Sequence, residues 1–123
     1  PDDKLTDVGF VLGDLGGQYP KGSVTFFNTK SLLDALRFKG GSGLTGALEI
    51  LMRAGTASLL NASFHETMWG TVVPYFPMTS IAVIDAVNIA IASGDAYVML
   101  ELAATLDDYN NGYEFFDWTW PVP

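Results

Sequence analysis

Residues 44–62, LTGALEILMRAGTASLLNA, decide the fold. Apolar residues recur there at spacings of three and four, which is the period of an α-helix that turns one face toward a core. Its two charged residues, Glu49 and Arg53, stand four residues apart, so the two side chains can pair on one exposed face. We therefore expect a central helix over 44–62 that is otherwise mostly buried.

A shorter helix is predicted before this central one. Thr29 or Ser31 can cap it, and it runs through a series of leucines to Phe38. The run 39–43, Lys-Gly-Gly-Ser-Gly, then stops it. Because this run lacks the Gly-Lys-Ser/Thr ending of a phosphate-binding P-loop, we expect a plain turn between the first two helices.

Two more helices are predicted after the central one. The loop that precedes them is expected to hold four ring-bearing side chains: His65, Trp69, Tyr75 and Phe76. Thr79 or Ser80 can cap the third helix, which Gly94 stops. Asp95 can cap the fourth helix, which ends within residues 107–112. Short turns between these helices predict a mainly α fold, a compact bundle of about four helices.

Both ends of the chain differ from this helical core. Residues 1–28 contain frequent glycines and are predicted to form short extended segments between turns. Residues 113–123 form an aromatic tail in which Phe116, Trp118 and Trp120 would share one face of an extended strand. The tail could cover the chain's own core or insert into a neighbouring chain by strand addition. We thus expect a single domain, 1–123, with a helical core over 29–112.

The composition is apolar for so short a chain. Hydrophobic residues make up 49% and charged residues 16%, against about 25% charged residues in an average globular domain. Because small domains bury a smaller share of their surface than large ones, some apolar surface should meet a partner. The formal net charge of -8 repels phosphate backbones, which disfavours nucleic acid as that partner.

The sequence also bears on membrane insertion and location. The longest uncharged stretch, 67–84, has 18 residues, near the lower limit for a membrane-spanning helix. Gly70, Pro74 and Pro77 interrupt it, so we predict no membrane span. The absence of cysteine slightly favours an oxidising, extracellular location. Because the chain begins with Pro1 rather than Met, we expect that a targeting segment, if there was one, was removed or lies upstream.

Candidate catalytic groups are few. His65 is the one histidine, and no neighbouring residue completes a nucleophile–base arrangement with it in the sequence. We therefore expect no enzymatic activity and no cofactor. The competing hypothesis is a small hydrolase that uses His65 with Glu66 or an Asp residue.

A metal site and a glycan site are the other candidates. Calcium prefers oxygen ligands, and four suitable side chains lie together: Asp107, Asp108, Asn110 and Asn111. Because Tyr109 stands where an EF-hand requires an oxygen ligand, we expect a solvated helix end and no metal site. Asn61 begins an Asn-Ala-Ser glycosylation pattern, but we prefer a structural role in which its amide bonds to free backbone carbonyls at a helix end.

Five short segments taken together resemble a known family. They are SLLDALRFKGG at 31–41, LMRA at 51–54, SLLNA at 58–62, IASGD at 91–95 and LDDYNN at 106–111. Their order is similar to that in a family of secreted or surface-associated proteins, mostly bacterial and archaeal, that open with a Cys-Thr-Pro-Gly-Tyr/Phe-Trp-Lys signature. The likeness covers roughly residues 24–112, and the signature itself is absent here. It implies an extracellular setting and a structural or adhesive role, transfers no catalytic residue, and implies that Asn61, His65 and the cluster 107–111 serve the fold.

These observations predict a secreted structural protein that associates with itself in an extracellular surface assembly or filament. Other copies of the same chain are the expected partners, and the contact residues are expected in the tail and near the N-terminus: Phe115, Phe116, Trp118, Trp120, Val8 and Phe10. Heterologous contacts that do not close into a ring produce filaments. The alternative is a monomeric adhesion or binding module of a larger cell-surface protein.

Overall fold

The computed structural model of the chain describes residues 3–12, 19, 22–69 and 76–111. A 3₁₀ helix, Leu5–Val8, comes first. Five α-helices follow in the described ranges: α1 Ser23–Asn28, α2 Leu32–Leu36, α3 Gly43–Trp69, α4 Ser80–Ser93 and α5 Ala96–Asn110. Three of them are long, and the helices pack compactly, so the predicted mainly α fold is confirmed.

The central helix is α3, against which α2, α4 and α5 all pack. Its buried apolar side chains form much of the core: Ala47, Leu48, Leu51, Met52, Ala54, Leu59 and Ala62. Gly55 allows a close approach to α4, because a Cβ atom built on Gly55 would lie 3.0 Å from Cγ2 of Val87. The predicted central helix is therefore confirmed, although it extends further than 44–62.

The predicted helix starts are confirmed where a side chain caps them. Ser31 and Asp34 form a capping box at α2: the Asp34 amide donates to Oγ of Ser31 at 3.1 Å, and the Ser31 amide donates to Oδ2 of Asp34 at 3.0 Å. Thr79 accepts from the amide of Ala82 at 3.0 Å at the start of α4. Asp95 accepts from the amides of Tyr97 and Val98 at the start of α5.

The N-terminal region differs from the prediction of short extended segments. Leu5–Val8 form one 3₁₀ turn that ends at Gly9, whose φ is 114°. Residues Ser23–Asn28 form α1, which begins after Gly22 with φ 91°. The glycines therefore mark the ends of short helices rather than turns between extended segments. Beyond the 3₁₀ turn, residues 10–12 form neither a helix nor a strand.

The end of the central helix also differs from the prediction. We expected a loop to begin after Ala62, but α3 continues to Trp69 and therefore includes His65 in its backbone. The reason lies in the sequence, since no Gly or Pro occurs between Gly55 and Gly70. Across the residues that the structure describes, no helix combines the length and the apolar character needed to cross a membrane.

Glu49 and Arg53 do not form the exposed pair that their spacing predicted. Both are half-buried, and both bind the turn that follows α2. Oε1 of Glu49 accepts from the amide of Gly40 at 3.2 Å, and Nη1 of Arg53 donates to the carbonyl of Phe38 at 2.9 Å. Residues 37–42 connect α2 to α3, so the predicted connection between the two helices is confirmed, although Gly43 already belongs to α3. Glu49 and Arg53 fix this connection against α3.

Candidate interaction surface

The predicted contact residues fall into three groups. Phe10 is 2% exposed and lies in the chain's own core, so its side chain does not reach a surface and the prediction for it is wrong. Val8 is half-buried and packs against the core. The tail residues Phe115, Phe116, Trp118 and Trp120 lie outside the described residues.

The outer face of α4 exposes two large apolar side chains. Ile81 and Ile89 are 70% and 71% exposed, and both lie on the side of α4 that points away from α3. Asp85 stands between them and is the one charged residue in α4. Most helices that carry so little charge are buried on all sides. We call this surface, formed by Ile81, Asp85, Ile89 and the adjoining Val11, the α4 face.

A shallow groove lies along the α4 face. It measures about 410 Å³ and is lined by Val11, Asp85, Asn88, Ile89 and Ala92. Asn88 holds the wall formed by Val11: its Oδ1 accepts from the Val11 amide at 2.8 Å, and its Nδ2 donates to the carbonyl of Gly9 at 3.0 Å. Two hydrogen bonds from one side chain fix the position of Val11, so the groove is preformed.

A second exposed surface combines aromatic, aliphatic and cationic side chains. Lys30 precedes α2 and is half-buried, whereas Leu33 lies within α2 and Arg37 directly follows it, and both are exposed. Phe26 is 41% exposed, and Nζ of Lys30 lies 4.5 Å from the centre of its ring. The Phe26 ring also stacks on Phe38, with 6.1 Å between the centroids. We call the surface formed by Phe26, Lys30, Leu33 and Arg37 the α2 face.

Charge is distributed very unevenly along the chain. Residues 1–53 contain six Lys and Arg and six Asp and Glu, whereas residues 54–123 contain eight Asp and Glu and no Lys or Arg. The second part therefore carries the whole formal net charge of -8. The α2 face lies in the first part and the α4 face, apart from Val11, in the second. Neither α4 nor the neighbouring helix α5 contains a cationic residue, because Arg53 is the last Lys or Arg in the sequence. No cation on either helix can therefore compensate the negative charge of Asp85.

A second groove lies near the 3₁₀ helix, where α3 and α4 meet. It measures about 400 Å³. Its apolar lining is Val8, Leu32, Leu59, Leu60 and Ile84, and its polar lining is Asp3, Ser63 and Ser80. Grooves of a few hundred Å³ are in the size range of small-ligand sites. We call it the Leu60 groove.

Asn110 forms a polar cluster between α5 and α3. Its Oδ1 accepts from Oγ of Ser58 at 3.0 Å and from Nδ2 of Asn61 at 2.9 Å. Its Nδ2 donates to the carbonyl of Ala54 at 3.2 Å. Asn61 thus bonds to a side chain in the middle of a helix interface, and the prediction that it bonds to backbone carbonyls at a helix end is wrong.

The same contacts bear on the calcium hypothesis for residues 107–111. Oδ1 of Asn110 already accepts two hydrogen bonds from α3, so it faces the helix interface rather than the neighbouring carboxylates. Burial raises the pKa of the Asp107 carboxyl; the charge of Arg53 acts in the opposite direction, and that of Asp108 raises the pKa further. Within the ranges that the structure describes, no three His, Asp or Glu side chains are grouped so that they could hold a metal ion.

Comparisons with protein-family models, with curated proteins and with solved structures found no match to this chain. The resemblance of residues 24–112 to the signature-bearing surface proteins therefore stays a hypothesis.

Proposed function

We propose that this protein is a self-associating structural subunit of an extracellular surface assembly, such as a filament. The observation that carries the proposal is the α4 face, where Ile81 and Ile89 are 70% and 71% exposed on a helix with a single charged residue. Large apolar side chains that are exposed together on one face of a small protein are typical of an interaction site. The extracellular setting rests on the absence of cysteine and on the family resemblance.

Self-association can be tested on the purified chain. We expect the molar mass from light scattering to exceed that of one chain of 13.3 kDa and to rise with protein concentration. Electron microscopy of the same samples should show assemblies. A monodisperse monomer over the whole concentration range would overturn the proposal.

Two substitutions at the α4 face connect the test to the structure. The double variant Ile81→Ser, Ile89→Ser removes exposed apolar surface and leaves the core intact, so we expect association to fall while the unfolding midpoint hardly changes. Leu60→Ser is the matched control, because Leu60 is 39% exposed and lies in the Leu60 groove, not on the α4 face. A variant truncated before residue 113 measures what the aromatic tail adds.

The Leu60 groove favours a second candidate function, a monomeric binding or adhesion module of a larger surface protein. Its volume of about 400 Å³ and its apolar lining with a few polar groups are typical of ligand sites. This candidate predicts that the chain stays monomeric and that its gene encodes further domains. Leu60→Ser should then weaken adhesion to the target surface, whereas the α4 double variant should not.

A further inference from the structure

We propose that the α4 face of one copy binds the α2 face of a second copy, so that the chain associates head to tail. This inference rests on the proposed self-association and names the two surfaces that meet. The contact would place Phe26 and Leu33 against Ile81, Ile89 and Val11 and would bring Lys30 and Arg37 close to Asp85. The apolar side chains would supply the buried area of the contact, and the opposite charges would determine which face binds which.

The apolar parts of the two faces match in kind. The α4 face includes a shallow groove of about 410 Å³ beside Val11 and Ile89. The α2 face presents Phe26 and Leu33, which are 41% and 37% exposed. A buried aromatic or aliphatic anchor in a groove is the usual centre of an energetically important contact. The stacking of Phe26 on Phe38 holds this anchor in place before a partner arrives.

The charges favour this pairing over a symmetric one. Two α4 faces related by a two-fold axis would bring two Asp85 carboxylates together, and two α2 faces would bring Lys30 and Arg37 against their own copies. Like charges at an interface are costly, whereas opposite charges select the partner and its register. Asp34, the one acidic residue of α2, accepts a hydrogen bond from the Ser31 amide at 3.0 Å and stands beside two cations, Lys30 and Arg37.

The two faces cannot meet within one copy. The turn after α2 is bound to Glu49 and Arg53 of α3, whereas α4 packs on α3 where Gly55 approaches Val87. The large apolar side chains of both faces, Phe26 and Leu33 on one and Val11, Ile81 and Ile89 on the other, stay exposed within one copy and are available to a neighbour. A contact between two different faces is heterologous, and it continues from copy to copy unless the rotation closes a ring.

Charge reversal tests the pairing. Asp85→Lys and Arg37→Glu each place like charges at the proposed contact, so each variant alone should associate about tenfold more weakly than the wild type. An equimolar mixture of the two variants restores opposite charges at every contact, and its association should recover. Sedimentation velocity at matched total concentration measures all three samples.

The controls carry the same charge changes outside the two faces. Asp108→Lys changes an exposed residue of α5, and Lys39→Glu changes an exposed residue beyond the end of α2. Both control variants should associate like the wild type. Circular dichroism and the unfolding midpoint establish that every variant is folded. If the controls weaken association as much as the test variants do, or if the mixture does not recover, the pairing is wrong even though the chain self-associates. A monomeric wild type would instead overturn the proposed function, and this pairing with it.

Discussion

Asn110 joins α5 to α3 through three hydrogen bonds. Ser58, whose hydroxyl donates to it at 3.0 Å, is fully buried. Asn110→Ala would leave that hydroxyl and the Asn61 amide without their acceptor. Because an unsatisfied buried polar group costs about 1–3 kcal/mol, we expect the free energy of unfolding to fall by about that amount. Urea denaturation monitored by circular dichroism measures the change.

The neighbouring residue provides the control for this prediction. Asn111→Ala changes the same side chain at an exposed position, where substitutions usually alter stability by less than about 0.5 kcal/mol. Asn61→Ala should have an intermediate effect, since Oδ1 of Asn110 keeps the hydrogen bond from Ser58. Equal effects of Asn110→Ala and Asn111→Ala would contradict the role given to the polar cluster.

Asp107 makes stability depend on pH in an unusual direction for a carboxylate. Burial raises the pKa of its carboxyl above the usual value of 3.8, so the folded state binds its proton more tightly than the unfolded state does. The stabilising contribution is complete below pH 3.8 and is lost as the pH rises through the folded-state pKa. Asp107→Asn removes the cost of the buried charge. We therefore expect this variant to gain stability relative to the wild type between pH 4 and neutrality.

Asp34 supplies a comparison of opposite sign. Hydrogen bonding from the Ser31 backbone lowers the pKa of its carboxyl, as do, to a smaller extent, the Ser31 side chain and the charges of Lys30 and Arg37. Its stabilising contribution is therefore present above pH 3.8 and disappears as the pH falls through the folded-state pKa. Asp34→Asn should lose stability relative to the wild type at neutral pH and lose less in acid. Denaturation curves at several pH values would refute both assignments if the two variants followed the same trend.

At the scale of elements, the junction between α2 and α3 depends on a glycine inside a helix. A Cβ atom built on Gly46 would overlap the backbone carbonyl group of Gly41, because the turn lies directly against the first turns of α3. Gly46→Ala should improve helix propensity by about 1 kcal/mol. The overlap is with backbone, which cannot rotate away, and overpacking costs about 1–3 kcal/mol. We expect a net loss of stability, measurable by thermal unfolding.

Gly41 provides the matched control at the other side of the same contact. A Cβ atom built there meets no heavy atom within 4 Å, and Gly41 is not among the glycines with positive φ. Gly41→Ala should therefore be neutral, or should stabilise the protein by about 0.4–1 kcal/mol through the unfolded state. If Gly46→Ala were the more stable of the two variants, the close approach of the turn to α3 would be wrong.

For the molecule as a whole, the predictions that succeeded rest on short-range signals. Helix starts at Ser31, Thr79 and Asp95 were predictable because each cap bonds to an amide two or three residues further along. The hydrogen-bond partners of Asn110 were not predictable, because these bonds join residues that are 49 to 56 positions apart in the sequence. The exposure of Ile81 and Ile89 was also unpredictable, since a helix that is apolar all round has no pattern that selects its inner face.

The uneven distribution of charge leaves α4 and α5 without a positive charge. Asp85 of α4 and Glu101, Asp107 and Asp108 of α5 are not opposed by a cation on either helix, so the field around these two helices is negative. A second copy that diffuses toward this field is turned before it makes contact, over a distance of about 8 Å in physiological salt and about 30 Å in dilute buffer. Under the proposed head-to-tail pairing, copies would add in one orientation and build a polar assembly. Its two ends would expose different chemistry: carboxylate and isoleucine at one, arginine and phenylalanine at the other.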